Sequence, residues 1–407
     1  APAASVHSFK NYVYQDDCEQ SFFNHIEMGL DYPDISSFLI APRPMFIIAN
    51  SRDIWDIEGT KYVYKTARKF YKMHYAEEKL KISIFDKGHS YDIEQQTEVM
   101  KWFNGIFGNR HDFVPFDKIE KKSFPAEDEI IVLAEKKERN FYLKNVLNVF
   151  KKNVEITKKE RSYIEKITGE LKPFTEKTFR FEIIDRYPIG AMQYYRIVFY
   201  PEKNLVLPAE IIIPPNPAGT MILLDEIRRT EKHQWQLEYA WRNYLVIRPD
   251  LRGFGETVLR DDWPDIENWC QNHFSGKSFK LFILCHLVGK YIIVERAKDI
   301  LALVSIATER LKAKKITIWA CGATVLPAIF TSIIDTRIQK LIIQDFLYSF
   351  KDVFEKSYPV WKPDNYIQGT LKAGFDVCDL CSMSHAQIEW KNTLDGMMKP
   401  VKKFKER

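Results

Sequence analysis

The chain has 407 residues, 45% of them hydrophobic and 28% charged, with a formal net charge of +5. That length exceeds one ordinary domain and fits two or three, and the composition is globular. Lysines and glutamates are interspersed rather than blocked by sign, which argues against a nucleic-acid partner. No run approaches the roughly 20 apolar residues of a membrane span, and no secretory leader is visible. Of the six cysteines only Cys378 and Cys381 are closely spaced. One C-x-x-C without a second pair, or histidines at ligand spacing, is a poor zinc site, so neither a metal nor an organic cofactor is implied.

In chain order, the apolar run Met45–Asn50 behind Pro42 and Pro44 predicts a buried strand. Glu58–His74 has helical spacing, with Tyr62, Ala67, Phe70 and Tyr71 inward. Leu80–Phe85 alternates as a strand ending at Asp86-Lys87-Gly88, and Glu94–Phe107 is an amphipathic helix. Strand–helix–strand–helix at this spacing implies a parallel sheet. The Lys- and Glu-rich stretch 110–178 reads as a connector with helices at Ala134–Lys152 and Lys158–Glu170. Strands resume beyond it at Leu207–Ile213, Thr220–Leu224, Tyr244–Arg248, Ile316–Trp319 and Lys340–Ile343, with a long helical region over Leu281–Leu311. This is a second βαβ series.

The two series share a pattern. Ser8-Phe9-Lys10-Asn11 recurs as Ser349-Phe350-Lys351-Asp352, an offset of 341 residues. Asp34 then matches Asp376, Asn50 matches Asn392 and Asp53 matches Asp395, all three at an offset of 342. Apolar positions pair as well: Ile35 with Val377, Phe38 with Leu380, Phe46 with Ile388. An ordered series at nearly constant offset predicts two copies of one unit. The expected organisation is the C-terminal part of one copy (1–109), the connector (110–178), and most of a second, degenerate copy (179–407).

Asp53 follows the first strand, and His89 follows the next in a Gly-His-Ser-Tyr turn. Functional groups of open α/β sheets gather beyond the carboxyl ends of strands. An acid and then a histidine at successive strand ends is the order of the Ser…Asp…His triad of α/β-hydrolases. In such a triad the carboxylate fixes the imidazole tautomer and the imidazole takes the serine proton. Asp56 is a rival acid, while Asp86 and Asp92 read as turn or capping residues. The nucleophile elbow G-x-S-x-G has its counterpart in the second copy at Ala320-Cys321-Gly322-Ala323-Thr324, where glycine stands at the serine position. Cys321, one place early, should point away from the apex. The repeat offset puts the first copy's serine upstream of Ala1, so an upstream segment is expected to carry it.

The motifs Ala41-Pro42-Arg43-Pro44, Arg52-Asp53-Ile54-Trp55-Asp56-Ile57-Glu58-Gly59-Thr60 and Gly88-His89, with the stretch Glu19–Asp31, resemble the bacterial acetylxylan-esterase-like α/β-hydrolases. Pro249-Asp250-Leu251-Arg252-Gly253-Phe254-Gly255-Glu256-Thr257, Ala320–Thr324 and Asp335–Ile338 resemble the degenerate C-terminal domain of long members of that group. The resemblance implies Asp53 as acid and His89 as base of a secreted or periplasmic serine esterase acting on ester-bearing polysaccharide or oligosaccharide. Two alternatives stay open: a peptidase on the same fold, or a non-catalytic binding or structural pseudo-hydrolase. In the last, Trp235, Trp241, Trp263, Trp269 or Trp361 could stack on sugar rings, although core positions suit most tryptophans better.

Overall fold

A computed structural model describes Ser8 and residues 26–53, 55–108, 159–175, 180–226, 233–258, 278–355 and 361–401. The expected helix at Ala134–Lys152 and residues Trp263 and Trp269 lie outside the described residues. The described residues fall into two compact units. One comprises the residues up to Gly108 together with 286–289, and the other comprises the rest.

In the first unit, helix α1 (Tyr32–Ile40) precedes strand β1 (Met45–Asn50), followed by α2 (Ile57–Met73), β2 (Leu80–Phe85) and α3 (Ile93–Phe107). β1 and β2 pair in parallel, Met45 opposite Leu80 and Asn50 opposite Phe85. All six residues of β1 are buried. Met45 and Ile47 face Val63, Ala67 and Tyr71 of α2, whereas Phe46 and Ile48 face Val99 and Trp102 of α3. Successive side chains of a strand point to opposite faces, so one continuous apolar run serves two helix layers. Asp56 caps α2 by accepting from Glu58 N, and Asp92 caps α3 through a reciprocal capping box with Gln95.

The second unit contains α4 (Arg161–Thr168), β3 (Arg180–Ile189), β4 (Met192–Glu202), β5 (Leu205–Ile213), β6 (Gly219–Leu224), α5 (His233–Trp241), β7 (Tyr244–Pro249), α6 (Ser278–Leu287), α7 (Ile292–Ser305), β8 (Ile316–Cys321), α8 (Val325–Ile334), β9 (Ile338–Gln344), α9 (Phe350–Glu355), α10 (Val377–Ser382) and β10 (Gln387–Lys391). One eight-stranded sheet has the order β10-β9-β8-β6-β7-β5-β4-β3. The run β10-β9-β8-β6-β7 is parallel, and β5, β4 and β3 join it antiparallel. This is an α/β unit with a mixed, mainly parallel sheet. Ile222 and Leu224 of β6 enter one core layer with α7 and α8, while Met221 and Leu223 enter the other with Trp319 and Ala240. Ile164, Ile167 and Leu171, from the end of the stretch expected as connector, also pack in the larger layer.

The expected continuous helical region over Leu281–Leu311 is broken between α6 and α7, where Gly289 takes φ +69°. The local sign of the break is Gly289 followed by Lys290, within a run whose apolar residues on both sides read as one helix.

One hydrogen-bonding pattern occurs in both units. Ser8 Oγ donates to Asp31 Oδ2, and Asp31 N donates to Asp34 Oδ2 at 3.0 Å, at the start of α1. Ser349 Oγ donates to Asp376 Oδ2, and Asp376 N donates to Asp379 Oδ2 at 2.9 Å, at the start of α10. In these bonds Asp31, three residues before the Asp34 matched in the sequence, takes the place that Asp376 has at α10. The shift fits the burial of the helices, since Phe38 is exposed and its expected match Leu380 is buried.

Candidate active site

The carboxyl ends of β1 and β2 are tied together by backbone and side chain. Ser51 N donates to Phe85 O at 2.8 Å and Arg52 N to Lys87 O at 3.1 Å. Asp86 accepts from Ser51 Oγ at 2.8 Å and from Arg52 Nε at 3.0 Å. Those two partners, Ser51 first, hold its carboxyl below the usual carboxylate range. Asp86 and Asp92 are thus turn and capping residues, as their positions suggested.

These ties bring Asp53 and His89 together, with His89 Nδ1 2.8 Å from Asp53 Oδ1. Asp53 is almost fully buried and the imidazole is half-exposed, the side chains being 3% and 54% accessible. Trp55 N donates to Asp53 Oδ1 at 3.3 Å, and Asn50 Nδ2 lies 3.3 Å from Oδ2. A carboxylate accepts only, so Nδ1 carries the hydrogen, and in the neutral ring the other nitrogen, Nε2, has the free lone pair. Asp56, the rival acid, caps α2.

Asn50, noted in the sequence only as a match to Asn392, holds the site together. Its Nδ2 donates to Gly88 O at 2.9 Å and to Ser90 O at 3.0 Å, gripping the turn on both sides of His89. Its Oδ1 accepts from Gln95 Nε2 at 2.7 Å, and Gln95 Oε1 accepts from Asp92 N at 2.8 Å. Asn50 and Gln95 are both buried. A buried amide needs its partners, and here each amide serves as donor and acceptor at once. The available sign was Asp92-x-x-Gln95, a capping-box spacing.

In the second unit the strand-to-helix turn after β8 sits where the elbow was expected. Gly322 has φ +56°, the left-handed region that favours glycine. Cys321 Sγ points to Asp345 Oδ2 at 3.7 Å, away from the apex. Asp395, matched to Asp53, accepts from Met397 N at 2.8 Å and Lys399 N at 2.9 Å. Of the tryptophans considered for sugar stacking, Trp361 is buried and donates to Asp395 O, whereas Trp241 is exposed. Cys378 and Cys381 share one face of α10, and no group of three metal-binding side chains occurs among the described residues. No helix among them is long and apolar enough to cross a membrane.

Neither a protein-family profile nor a curated protein sequence matches the chain. Among solved structures it is similar to a Bacteroides fragilis protein provisionally described as an acetyl xylan esterase, at 13% identity and TM-score 0.45, covering 60% of this chain and 68% of that one. It is also similar to acetyl xylan esterase 1 of Thermoanaerobacterium, at 13% identity and TM-score 0.39, over 58% and 86% of the two chains. A glucuronoyl esterase of Solibacter usitatus aligns at 11% identity and TM-score 0.37, over 56% and 73%. The α/β class of the second unit follows from its own strand order.

Proposed function

We propose that the first unit carries the acid and base of a serine ester hydrolase, Asp53 and His89. The observation that carries this is the 2.8 Å contact of His89 Nδ1 with a nearly buried carboxylate at adjacent strand ends. Asp53 would hold the tautomer and stabilise the imidazolium, and Nε2 would take the proton from a serine hydroxyl and return it to the leaving alcohol. On the repeat read from the sequence, that serine would lie in a segment before Ala1. The ester substrate, on plant polysaccharide or oligosaccharide, and a secreted or periplasmic setting are suggested by the acetylxylan-esterase-like motifs alone.

On this proposal residues 179–407, which supply most of the second unit, are a non-catalytic copy of the same hydrolase repeat, reached through the connector 110–178, whose end packs into that unit's core. The paired Ser–Asp–Asp bonding at the start of α1 and α10 supports the repeat. Glycine at the elbow apex removes the nucleophile. The test is ester-hydrolysis kinetics of His89→Ala and Asp53→Asn in a protein extended upstream to include the serine. Loss of a triad member removes on the order of 10⁴-fold of turnover. Near-normal rates in both variants would refute the assignment.

A further inference from the structure

The elbow of the second unit is filled. Glu226, two residues beyond β6, reaches the turn after β8, and its Oε1 accepts from Ala323 N at 2.5 Å. Ala323 follows the apex residue. In hydrolases with this elbow, the N–H of that residue is one oxyanion donor and the second comes from the loop after a neighbouring parallel strand. Here β6 is the parallel neighbour of β8. If the unit is a hydrolase copy, as proposed above, the loop that should bring a second donor brings an acceptor.

Two further observations bear on the same point. A Cβ on Gly322 would stand 2.3 Å from Glu226 Oε1, so the carboxylate lies in the volume a nucleophile side chain would need. The other oxygen, Oε2, is 3.5 Å from Lys362 Nζ. A carboxylate against an elbow N–H at the head of a ten-residue helix is in a favourable field. We infer that the elbow of the second unit is an anion-binding position whose resident ligand is the chain's own Glu226 carboxylate, and that residue 322 is glycine to admit it. With that oxygen in place, no substrate carbonyl can accept from Ala323 N. Free small carboxylates are the ligand class the position would take once the side chain is removed.

The test has two parts on the full chain. The first is a double-mutant cycle of Gly322→Ala and Glu226→Ala by chemical denaturation. Backbone strain at φ +56° is common to both backgrounds and cancels. The expected result is that Gly322→Ala lowers the folding equilibrium constant about tenfold more with Glu226 present than without it. Equal effects in both backgrounds would overturn the inference. The second part follows the Ala323 amide by NMR, with selectively labelled alanine, during titration with sodium acetate against sodium chloride. Saturable, acetate-specific shifts in Glu226→Ala and none in the parent are expected. Acetate shifts in the parent, or none in the variant, would overturn it.

Discussion

Gln95 Nε2 donates to Asn50 Oδ1 at 2.7 Å, joining the first turn of α3 to the end of β1. Asn50 in turn grips the carbonyls of Gly88 and Ser90, so the orientation of the turn carrying His89 depends on an amide one helix away. Gln95→Leu keeps the volume but strands the buried Asn50 oxygen and removes the acceptor from Asp92 N. An unsatisfied buried polar group costs about 1–3 kcal/mol. We expect a loss of stability in that range, measured by urea unfolding, and broadened ring signals of His89 by NMR. An unchanged unfolding midpoint would show that solvent or repacking satisfies Asn50 equally well.

Asp53 and Asp56 lie three residues apart, and the sequence left either as the acid. Asp56 accepts from Glu58 N at the start of α2. Replacing a side-chain cap by alanine costs about 0.5–2 kcal/mol. Asp56→Ala is therefore expected to lower stability by that amount while leaving the turnover of an upstream-extended protein within about twofold, with Asp53→Asn giving the reverse pattern. A large turnover loss in Asp56→Ala at unchanged folding would move the acid to Asp56.

Glu98 is one defined source of acid sensitivity in the first unit, beside Asp86 and Asp92. Lys81, and after it Ser83, hydrogen-bond Glu98 and hold its carboxyl below the usual range. A depressed folded-state pKa contributes stability that is present above the unfolded value, near 4.3, and is lost as pH falls through the folded value. The thermal midpoint should therefore drop on acidification from about pH 6 to about pH 3, and Lys81→Met should shrink that drop. Because the pair is partly exposed, the effect should also weaken in high salt. An identical pH dependence in Lys81→Met would assign the sensitivity to other carboxylates.

The strands of the first unit were legible for two reasons: β1, buried on both faces, leaves an unbroken apolar run, and β2 leaves an alternation. Met45–Asn50 and Leu80–Phe85 fall at the same bounds in sequence and structure. The order Asp53 then His89 was readable because strand ends collect functional groups. The Asn50–Gln95 bond was not, since a polar residue closing a strand looks the same whether it turns the chain or clamps a distant helix. The break between α6 and α7 escaped notice because the apolar runs on either side of Gly289 read as one helix. Nothing local marks Glu226 as the occupant of a turn almost a hundred residues later, because that contact exists only once β6 and β8 lie side by side.

The Asp-x-Arg-Gly-x-Gly motif, read in the sequence as a mark of kinship, has a structural reason in the second unit. Arg252 forms a fork with Asp299, Nη2 to Oδ1 at 2.6 Å and Nε to Oδ2 at 3.0 Å, and its Nη1 meets Glu295 and Glu202, each at 2.8 Å. Asp299 and Glu295 are 0% and 4% exposed, so their charges have little water to fall back on. Gly253, at φ +80°, leaves room beside Leu281 and the Arg296 guanidinium, which rests 3.7 Å from the Phe254 ring. Removing one partner of a buried ion pair costs about 3–5 kcal/mol, because the other charge is left uncompensated. Arg252→Met should destabilise the second unit by that order. Arg252→Lys should fall between it and the parent, since an ammonium restores charge but cannot make the planar fork. Guanidinium unfolding of both variants, followed through the buried Trp319, measures the difference. Should Arg252→Met unfold within about 0.5 kcal/mol of the parent, the network would owe its geometry to the surrounding packing, and the arginine would not be what holds the turn.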